Sequence, residues 1–288
     1  MSILRKIFYS SIICFLLSFS NCTTETAKTY NTNAAPLLIS AFDADQNDIT
    51  SVGDVGMVRL YIYDEQKDLI EWLDISSEDV IKRKEIKISY PSHKYVYIEA
   101  VNLSSNKQII YPEWKHFLDE FSVTYSAVEE MEHAKQIFIG SSIYDNRIET
   151  SGPHIVKLNR TVGKMRVALK GQKRDASNYN VRISRISAQI NAEKKGFDER
   201  LELVSSFKVK DNEVTTDYYA MFPSEHDSGI MIDIYDGDTL LHSFDKDKTG
   251  QFLRNAIDKV LNIQIDLASL STQVIVNPWI NEEVDIEI

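Results

Sequence analysis

Short runs in which apolar and polar residues alternate recur along most of this chain, and they favour a fold made largely of β-strands. A period of two places every second side chain on one face of a strand. Runs of this kind predict strands at 36–43, 57–63, 86–90, 95–101, 136–139, 156–158, 165–169, 181–190, 215–222, 230–234, 240–244, 261–267, 274–276 and 284–288. One stretch has helical spacing instead, at Trp114, Phe117, Leu118 and Phe121. The pattern therefore predicts an all-β protein of two β-sandwich domains.

The domain division follows from the length and from one turn segment. A chain of 288 residues is long enough for two domains at about 150 residues each. The segment 149–153, with the sequence ETSGP, separates two sets of predicted strands. We therefore expect an N-terminal domain at 36–152 and a C-terminal domain at 153–288.

Two local features make sharper predictions. Val181 and Ile183 share one face of a strand, but Ile186 and the apolar residues after it share the other. This change of phase predicts a bulge or bend near Ser184 and Arg185. Further on, Asp236-Gly237 stands between two alternating runs and predicts a two-residue hairpin.

The N-terminus has the character of a secretion signal. Arg5 and Lys6 precede an uncharged apolar run at 7–19, which is shorter than the roughly 20 residues that span a membrane as a helix. Cys22 follows directly, and a cysteine at this junction resembles a bacterial lipoprotein signal. We expect residues 1–21 to be removed and Cys22 to carry the lipid; the alternative is an ordinary signal peptide with an incidental cysteine.

The mature chain would then be acidic and free of thiols. Cys14 leaves with the signal, Cys22 is acylated, and residues 22–35 form a polar lipidated tether. The net charge of the full chain is -11, which argues against a nucleic-acid partner. An acidic protein does not bind an anionic surface by charge, so attachment to the outer membrane would depend on the acyl chains.

Signals for enzymatic chemistry are weak. The sequence has no GxSxG elbow, P-loop or GxGxxG motif, and its six histidines have no ligand spacing. The stretch at 245–250 begins like an EF-hand loop, but Ala256 stands where the bidentate glutamate belongs. The stretch at 43–48 lacks the required glycine. We therefore predict a protein that is not an enzyme, with no catalytic residue, no metal site and no cofactor.

Four segments in this order resemble the fimbrillin-type proteins of Bacteroidetes, which form type V pili. The first is the lipoprotein signal. The second is the pair VRLYIYDE at 58–65 and YVYIEAVN at 95–102, which resembles two early strands of the family. The third is VKLNRTVGKMRV at 156–167, with Gly163 where the family usually has alanine, and the fourth is VNPWINEEV at 276–284.

The resemblance implies two transthyretin-like sandwiches and a place in a pilus. It also implies that stem subunits lose their lipid when an arginine-specific protease cuts after the first strand. This chain has no arginine between Cys22 and Met57, so we expect it to keep both lipid and strand. It would then be a surface-exposed anchor or accessory subunit of the outer membrane, joined to a stem subunit by donor-strand complementation.

Two alternatives stay open at this point. The chain could be a stem or tip subunit of the pilus. It could also be a surface glycan-binding lipoprotein, which would show a row of exposed aromatic residues on one sandwich face.

Overall fold

The computed structural model describes residues 35–52, 55–103, 109–110, 118–125, 136–148, 152–172, 175–197, 201–210, 213–224 and 229–279. Nearly all of their regular secondary structure is β-strand, which confirms the predicted all-β fold class. The first ten strands are β1 Leu37–Phe42, β2 Met57–Tyr63, β3 Leu69–Ile75, β4 Tyr95–Leu103, β5 Ile109–Ile110, β6 Ser122–Tyr125, β7 Phe138–Asp145, β8 His154–Arg160, β9 Gly163–Lys170 and β10 Tyr179–Ile186. The others are β11 Gln189–Asn191, β12 Gly196–Phe197, β13 Leu201–Ser206, β14 Lys208–Lys210, β15 Glu213–Thr215, β16 Tyr219–Met221, β17 Met231–Asp236, β18 Thr239–Phe244, β19 Lys259–Asp266 and β20 Ser271–Pro278. A short helix, α1, spans Ser77–Ile81, and 3₁₀ turns lie at Leu118–Glu120 and Ala176–Asn178.

The strands form four sheets. Sheet I has the order β1-β8-β7-β4-β2-β3, and sheet II has the order β12-β11-β6-β5. Sheet III has the order β13-β10-β17-β18, and sheet IV has the order β14-β15-β9-β19-β20, with β16 also paired to β9. Most neighbours are antiparallel, but β1 runs parallel to β8, and β9 runs parallel to β19. Sheet II pairs β6 from the first half of the chain with β11 from the second half.

The apolar core has two parts that meet at sheet I. One face of β2 places Val58, Leu60 and Ile62 in a cluster covered by α1 and by the segment 86–90. The opposite face places Tyr61 and Tyr63 in a larger cluster that continues into the second half of the chain. Burial on both faces explains why β2 is apolar at nearly every position.

Both sharp local predictions are confirmed. The register between β10 and β13 shifts between Ile183 and Ile186, and Arg185 in this gap has a positive φ of 62°. Between these two pairs β10 has one residue more than β13, and this insertion places Ile186 on the buried face. The hairpin joins β17 to β18 with Asp236 opposite Thr239, so Gly237, at φ 58°, takes the first loop position.

Other expectations differ from the structure or fall outside it. The run at 86–90 forms only a bridge between Ile86 and Leu37, because its apolar residues pack on sheet I from a loop. The run at 284–288 and the first half of the expected helix, at 114–117, lie outside the described residues, and the second half contains the 3₁₀ turn Leu118–Glu120. The domain division after residue 152 stays a prediction, although β8, which follows that point, lies in sheet I between β1 and β7.

Candidate functional site around the first strand

The first strand, β1, lies at the edge of sheet I. It runs parallel to β8 with Leu37 opposite His154 and Phe42 opposite Asn159. Leu37, Ile39 and Ala41 point into the core and are 0%, 2% and 0% exposed. Burying a leucine or isoleucine side chain contributes about 1.5–3 kcal/mol, so these contacts hold the strand in place by several kcal/mol.

The outer edge of β1 is largely covered. The N–H of Leu37 donates to the carbonyl oxygen of Ile86 at 2.8 Å, and the N–H of Ile86 returns a bond to Leu37 at 2.9 Å. At the other end, Ala41 accepts from the N–H of Ile49 at 2.8 Å, and its own N–H donates to Thr50 Oγ1 at 2.9 Å. Because these polar groups are already paired, another strand can add there only by displacing the covering segments.

Side chains tie both ends of the strand. Before β1, the hydroxyl of Tyr144 donates to the carbonyl oxygen of Ala35 at 2.5 Å. The backbone N–H of His154 donates to the carbonyl oxygen of Pro36 at 2.8 Å. Near its other end, Arg83 donates to Ser40 Oγ at 3.2 Å and forms an ion pair with Asp48 at 2.6 Å. The strand is therefore fixed by segments far apart in sequence.

A buried ion pair joins the end of β1 to the second half of the chain. The guanidinium of Arg160, at the end of β8, pairs with the carboxylate of Asp258, and both side chains are almost fully buried. The second carboxylate oxygen of Asp258 accepts the N–H of Ala44 at 2.6 Å, just beyond β1. The loop that carries Asp258 continues into β19, so this carboxylate links three segments at one point.

Trp279 closes this junction from the C-terminal side. The centre of its ring lies 4.5 Å from the Arg160 guanidinium and 4.3 Å from the Lys164 ammonium, and the backbone N–H of Trp279 donates to the carbonyl oxygen of Asp258 at 3.2 Å. Burial lowers the pKa of Arg160 to about 10, and the nearby Asp43 carboxylate counteracts this shift. The guanidinium therefore stays charged at neutral pH and needs its carboxylate partner.

A second buried ionisable group, Glu99 on β4, lies on the other face of sheet I. It is 5% exposed and accepts a hydrogen bond from Ser141 Oγ at 2.5 Å. Burial raises its pKa to about 7, against the opposing effects of Ser141 and of the Lys194 ammonium. This group titrates within the physiological range.

The sequence identified some of these residues but did not predict that they contact one another. It placed Arg160 and Trp279 in motifs of the resembled family, and the structure brings them into contact. It gave no role to Asp258, because a partner 98 positions away has no local signal. Cys22, the predicted lipid attachment residue, lies outside the described residues.

Neither a metal site nor a spanning helix emerges from the described ranges. No group of three or more His, Cys, Asp or Glu residues there is placed to hold a metal ion. The turn at 43–48 is instead closed on itself, with the N–H of Asn47 donating to Asp43 Oδ1 at 2.8 Å. No helix within those ranges is long and apolar enough to cross a membrane.

Comparisons with known proteins give one family, from a family model, and one fold, from solved structures. The model of the family described as fimbrillin-A associated anchor proteins Mfa1 and Mfa2 matches residues 16–285. No curated protein matches the sequence. Among solved structures, the fimbrial anchor protein Mfa2 of Porphyromonas gingivalis has a TM-score of 0.56 at 9% identity, over 85% of this chain and 98% of its own.

Two structures from Bacteroides thetaiotaomicron have the same fold. One, provisionally described as an adhesin, has a TM-score of 0.60 at 10% identity and covers 88% of this chain and 98% of its own. The other, provisionally described as polysaccharide-binding, has a TM-score of 0.62 at 11% identity and covers 85% of this chain and 96% of its own. At such identities these similarities establish the fold alone.

Proposed function

The chain belongs to the family of fimbrillin-A associated anchor proteins, and on that premise we propose that it is a lipid-anchored, non-enzymatic subunit at the base of a pilus. Its lipid is attached at Cys22 and inserts in the outer membrane. The first strand, β1, stays in sheet I, and a stem subunit of the same pilus is the partner.

The attachment of β1 is the observation that carries this proposal. Its outer edge is bonded to Ile86, Ile49 and Thr50, and Asp258 binds the backbone just after it. A strand that transmits tension from a membrane anchor must not slide out of its sheet. Bonds on both edges and at both ends meet that requirement.

The positions of the arginines support the same conclusion. The first arginine after Cys22 is Arg59, which lies within β2 and forms a bidentate pair with Asp74. A protease needs an accessible, extended segment that it can pull into its active site. An arginine-specific enzyme therefore has no suitable site between the lipid and β2.

A stem subunit needs a different edge for strand addition. Strand β20 lies at the edge of sheet IV, and its sequence STQVIVNP contains no charged residue. Ile275 and Val276 on it are 43% and 56% exposed. A long uncharged edge favours pairing with an extended segment of another protein, which supports donor-strand complementation at this edge.

The retention of lipid and strand is tested on intact cells treated with an arginine-specific protease. Wild-type chain labelled with palmitate should stay uncut in the membrane fraction. Gln46→Arg places an arginine in the exposed turn after β1 and should be cut, whereas the matched variant Gln46→Lys should not. Cys22→Ala should lose the label and leave the membrane fraction.

Three results would contradict the retention of the lipid and of β1, or its proposed cause. A soluble wild-type chain without lipid that begins after Phe42 and before Val55 would mean that β1 is removed, as in a stem subunit. Recovery of this chain repeated along shed fibres would indicate the same. Failure of Gln46→Arg to be cut would show that the missing arginine is not what protects the lipid.

A further inference from the structure

The outer face of sheet IV carries a shallow groove that the anchor role does not use. Residues Met165, Val167 and Leu169 of β9 are buried, so the residues between them face outward. Three outward pairs lie across β9 and β19: Arg166 with Asn262, Ala168 with Gln264, and Lys170 with Asp266. On β9 the short Ala168 lies between the longer Arg166 and Lys170, and this difference in length opens the groove at that strand.

The groove runs across the strands rather than along them. Two adjoining depressions, of about 210 Å³ and 170 Å³, share Ala168, Glu213 and Gln264 in their walls. They extend from β15 over β9 and β19, and the second reaches Ile275 on β20. Four strands with a spacing of about 4.8 Å make a floor about 14 Å long, which suits a short chain of rings better than a single one.

One wall of the groove is held in position by its own contacts. Arg166 Nε donates to Asn262 Oδ1 at 2.5 Å, and the hydroxyl of Tyr218 donates to the same oxygen at 3.2 Å. The Arg166 guanidinium also lies 5.1 Å from the centre of the Tyr218 ring. The side-chain oxygen of Asn262 therefore accepts two hydrogen bonds from the protein. Its side-chain N–H groups can donate to a ligand.

The charges around the groove are balanced. Arg166 forms an ion pair with Glu213 at 3.8 Å, and Lys170 lies opposite Asp266, which lies beside the depressions rather than in their walls. Asp266 is further occupied by the turn after β19, because its Oδ1 accepts the N–H groups of Ala268 at 2.8 Å and Ser269 at 3.2 Å. Because each charged side chain has a nearby partner of opposite sign, the groove attracts ions weakly, which favours an uncharged ligand over an anionic polymer.

From this arrangement we propose that the groove binds a neutral oligosaccharide laid across β15, β9, β19 and β20. Sugar hydroxyls both donate and accept; the amides of Gln264 and Asn277 offer both functions along the groove, and the amide of Asn262 offers its N–H groups. Ala168 and Ile275 offer apolar surface to the C–H faces of the rings. Both proposals use sheet IV, but strand addition occupies the backbone edge of β20 and the sugar lies on the side-chain face of the sheet, so the inference does not depend on the anchor role.

Binding is tested by calorimetric titration of the Cys22→Ala chain, with its signal removed, against defined tetrasaccharides. The probes are mannotetraose, chitotetraose and cellotetraose, with tetragalacturonate as the anionic comparison. We expect at least one neutral tetrasaccharide to bind with a dissociation constant below 1 mM, about the affinity of a weak specific site. Tetragalacturonate should bind at least tenfold more weakly.

Two variants locate the site. Ala168→Tyr fills the groove and should abolish binding, whereas Thr239→Tyr adds the same ring at an exposed position of β18 and should leave it unchanged. Gln264→Ala keeps the groove open but removes one amide, and should weaken binding about tenfold. Gln264→Ala decides the question if Ala168→Tyr fails to fold, as judged by circular dichroism.

Three results would overturn the proposal. The first is that none of the neutral tetrasaccharides binds below 10 mM. The second is that binding persists unchanged in Gln264→Ala and in any folded Ala168→Tyr. The third is that tetragalacturonate binds as tightly as the best neutral probe.

Discussion

Single residues decide how the two halves of the chain are joined, and the pair of Arg160 and Asp258 is the clearest case. Removing one partner of a buried ion pair leaves an uncompensated charge and costs about 3–5 kcal/mol. We expect Asp258→Asn to lower the free energy of unfolding by that amount, measured by urea denaturation. Asp74→Asn breaks the more exposed pair with Arg59 and should cost less than about 1 kcal/mol. Equal effects of the two variants would contradict the role given to the buried pair.

The glycine at position 163 has a structural cause. A Cβ atom there would lie 2.2 Å from the carbonyl oxygen of Ala256 and 2.6 Å from Asn255 Oδ1. The amide of Asn255 is fixed, because it donates to the carbonyl oxygens of Met221 and Phe222 at 2.6 Å and 3.1 Å. This explains the absence of the alanine usual in the resembled family.

Restoring that alanine should therefore destabilise the protein. Overpacking of this kind costs about 1–3 kcal/mol, so we expect Gly163→Ala to lower the urea midpoint. Gly152→Ala is the matched control, because nothing lies within 4 Å of its added methyl group. A Gly163→Ala variant as stable as the wild type would mean that the loop at 255–256 moves away at little cost.

The buried carboxyl of Glu99 should make stability depend on pH. Its folded pKa of about 7 lies above the ordinary value of 4.5, so the folded state binds more protons than the unfolded state between these values. The contribution of this group to stability is then greatest below about pH 4.5 and falls by about 3 kcal/mol as pH rises to 7. Denaturation at a series of pH values measures this fall.

Two variants distinguish the contribution of Glu99 to the pH dependence of stability from that of other titrating groups. Glu99→Gln should flatten the slope between pH 4.5 and 7, since the amide does not ionise. Ser141→Ala removes a hydroxyl that stabilises the carboxylate, so it should move the fall to higher pH. A slope that survives unchanged in Glu99→Gln would assign the pH dependence elsewhere.

At the scale of elements, the bonds on the outer edge of β1 should control how firmly it is held. Thr50→Val keeps the shape of the side chain but leaves the buried N–H of Ala41 without its acceptor, a loss worth about 1–3 kcal/mol. We expect faster amide exchange along β1, measured by mass spectrometry, with β10 unchanged. Thr239→Val, at an exposed position of β18, should alter neither strand. Unchanged exchange in Thr50→Val would mean that the core contacts alone hold β1.

Elements also show how far the sequence can predict this fold. Alternation is a local property, so it predicted most strands and, through its change of phase at Arg185, even a bulge. It could not predict which strands pair, because pairing joins distant residues. The parallel contact of β1 with β8, the partner of Arg160 and the groove beside Ala168 all depend on such pairing. The run at 86–90 misled because apolar residues under a loop alternate like those of a strand.

At the scale of the whole molecule, the two halves share one core. Sheet II pairs β6 with β11, placing Val123 opposite Ile190. The hydroxyl of Tyr125 donates to the carbonyl oxygen of Ala220 at 3.2 Å, and its ring packs 4.4 Å from that of Phe222. A protein that carries load between a membrane and a fibre is strengthened by such continuity, since neither half can then open alone.

This continuity predicts a single unfolding transition. Scanning calorimetry should give equal calorimetric and van't Hoff enthalpies for the wild type. Ile190→Asp places a charge in the shared core, where it loses its hydration without gaining a partner, and should split the transition in two. Ile265→Ala, a core change within sheet IV, should lower the midpoint and keep one transition. Two transitions in the wild type would mean that the two halves unfold independently.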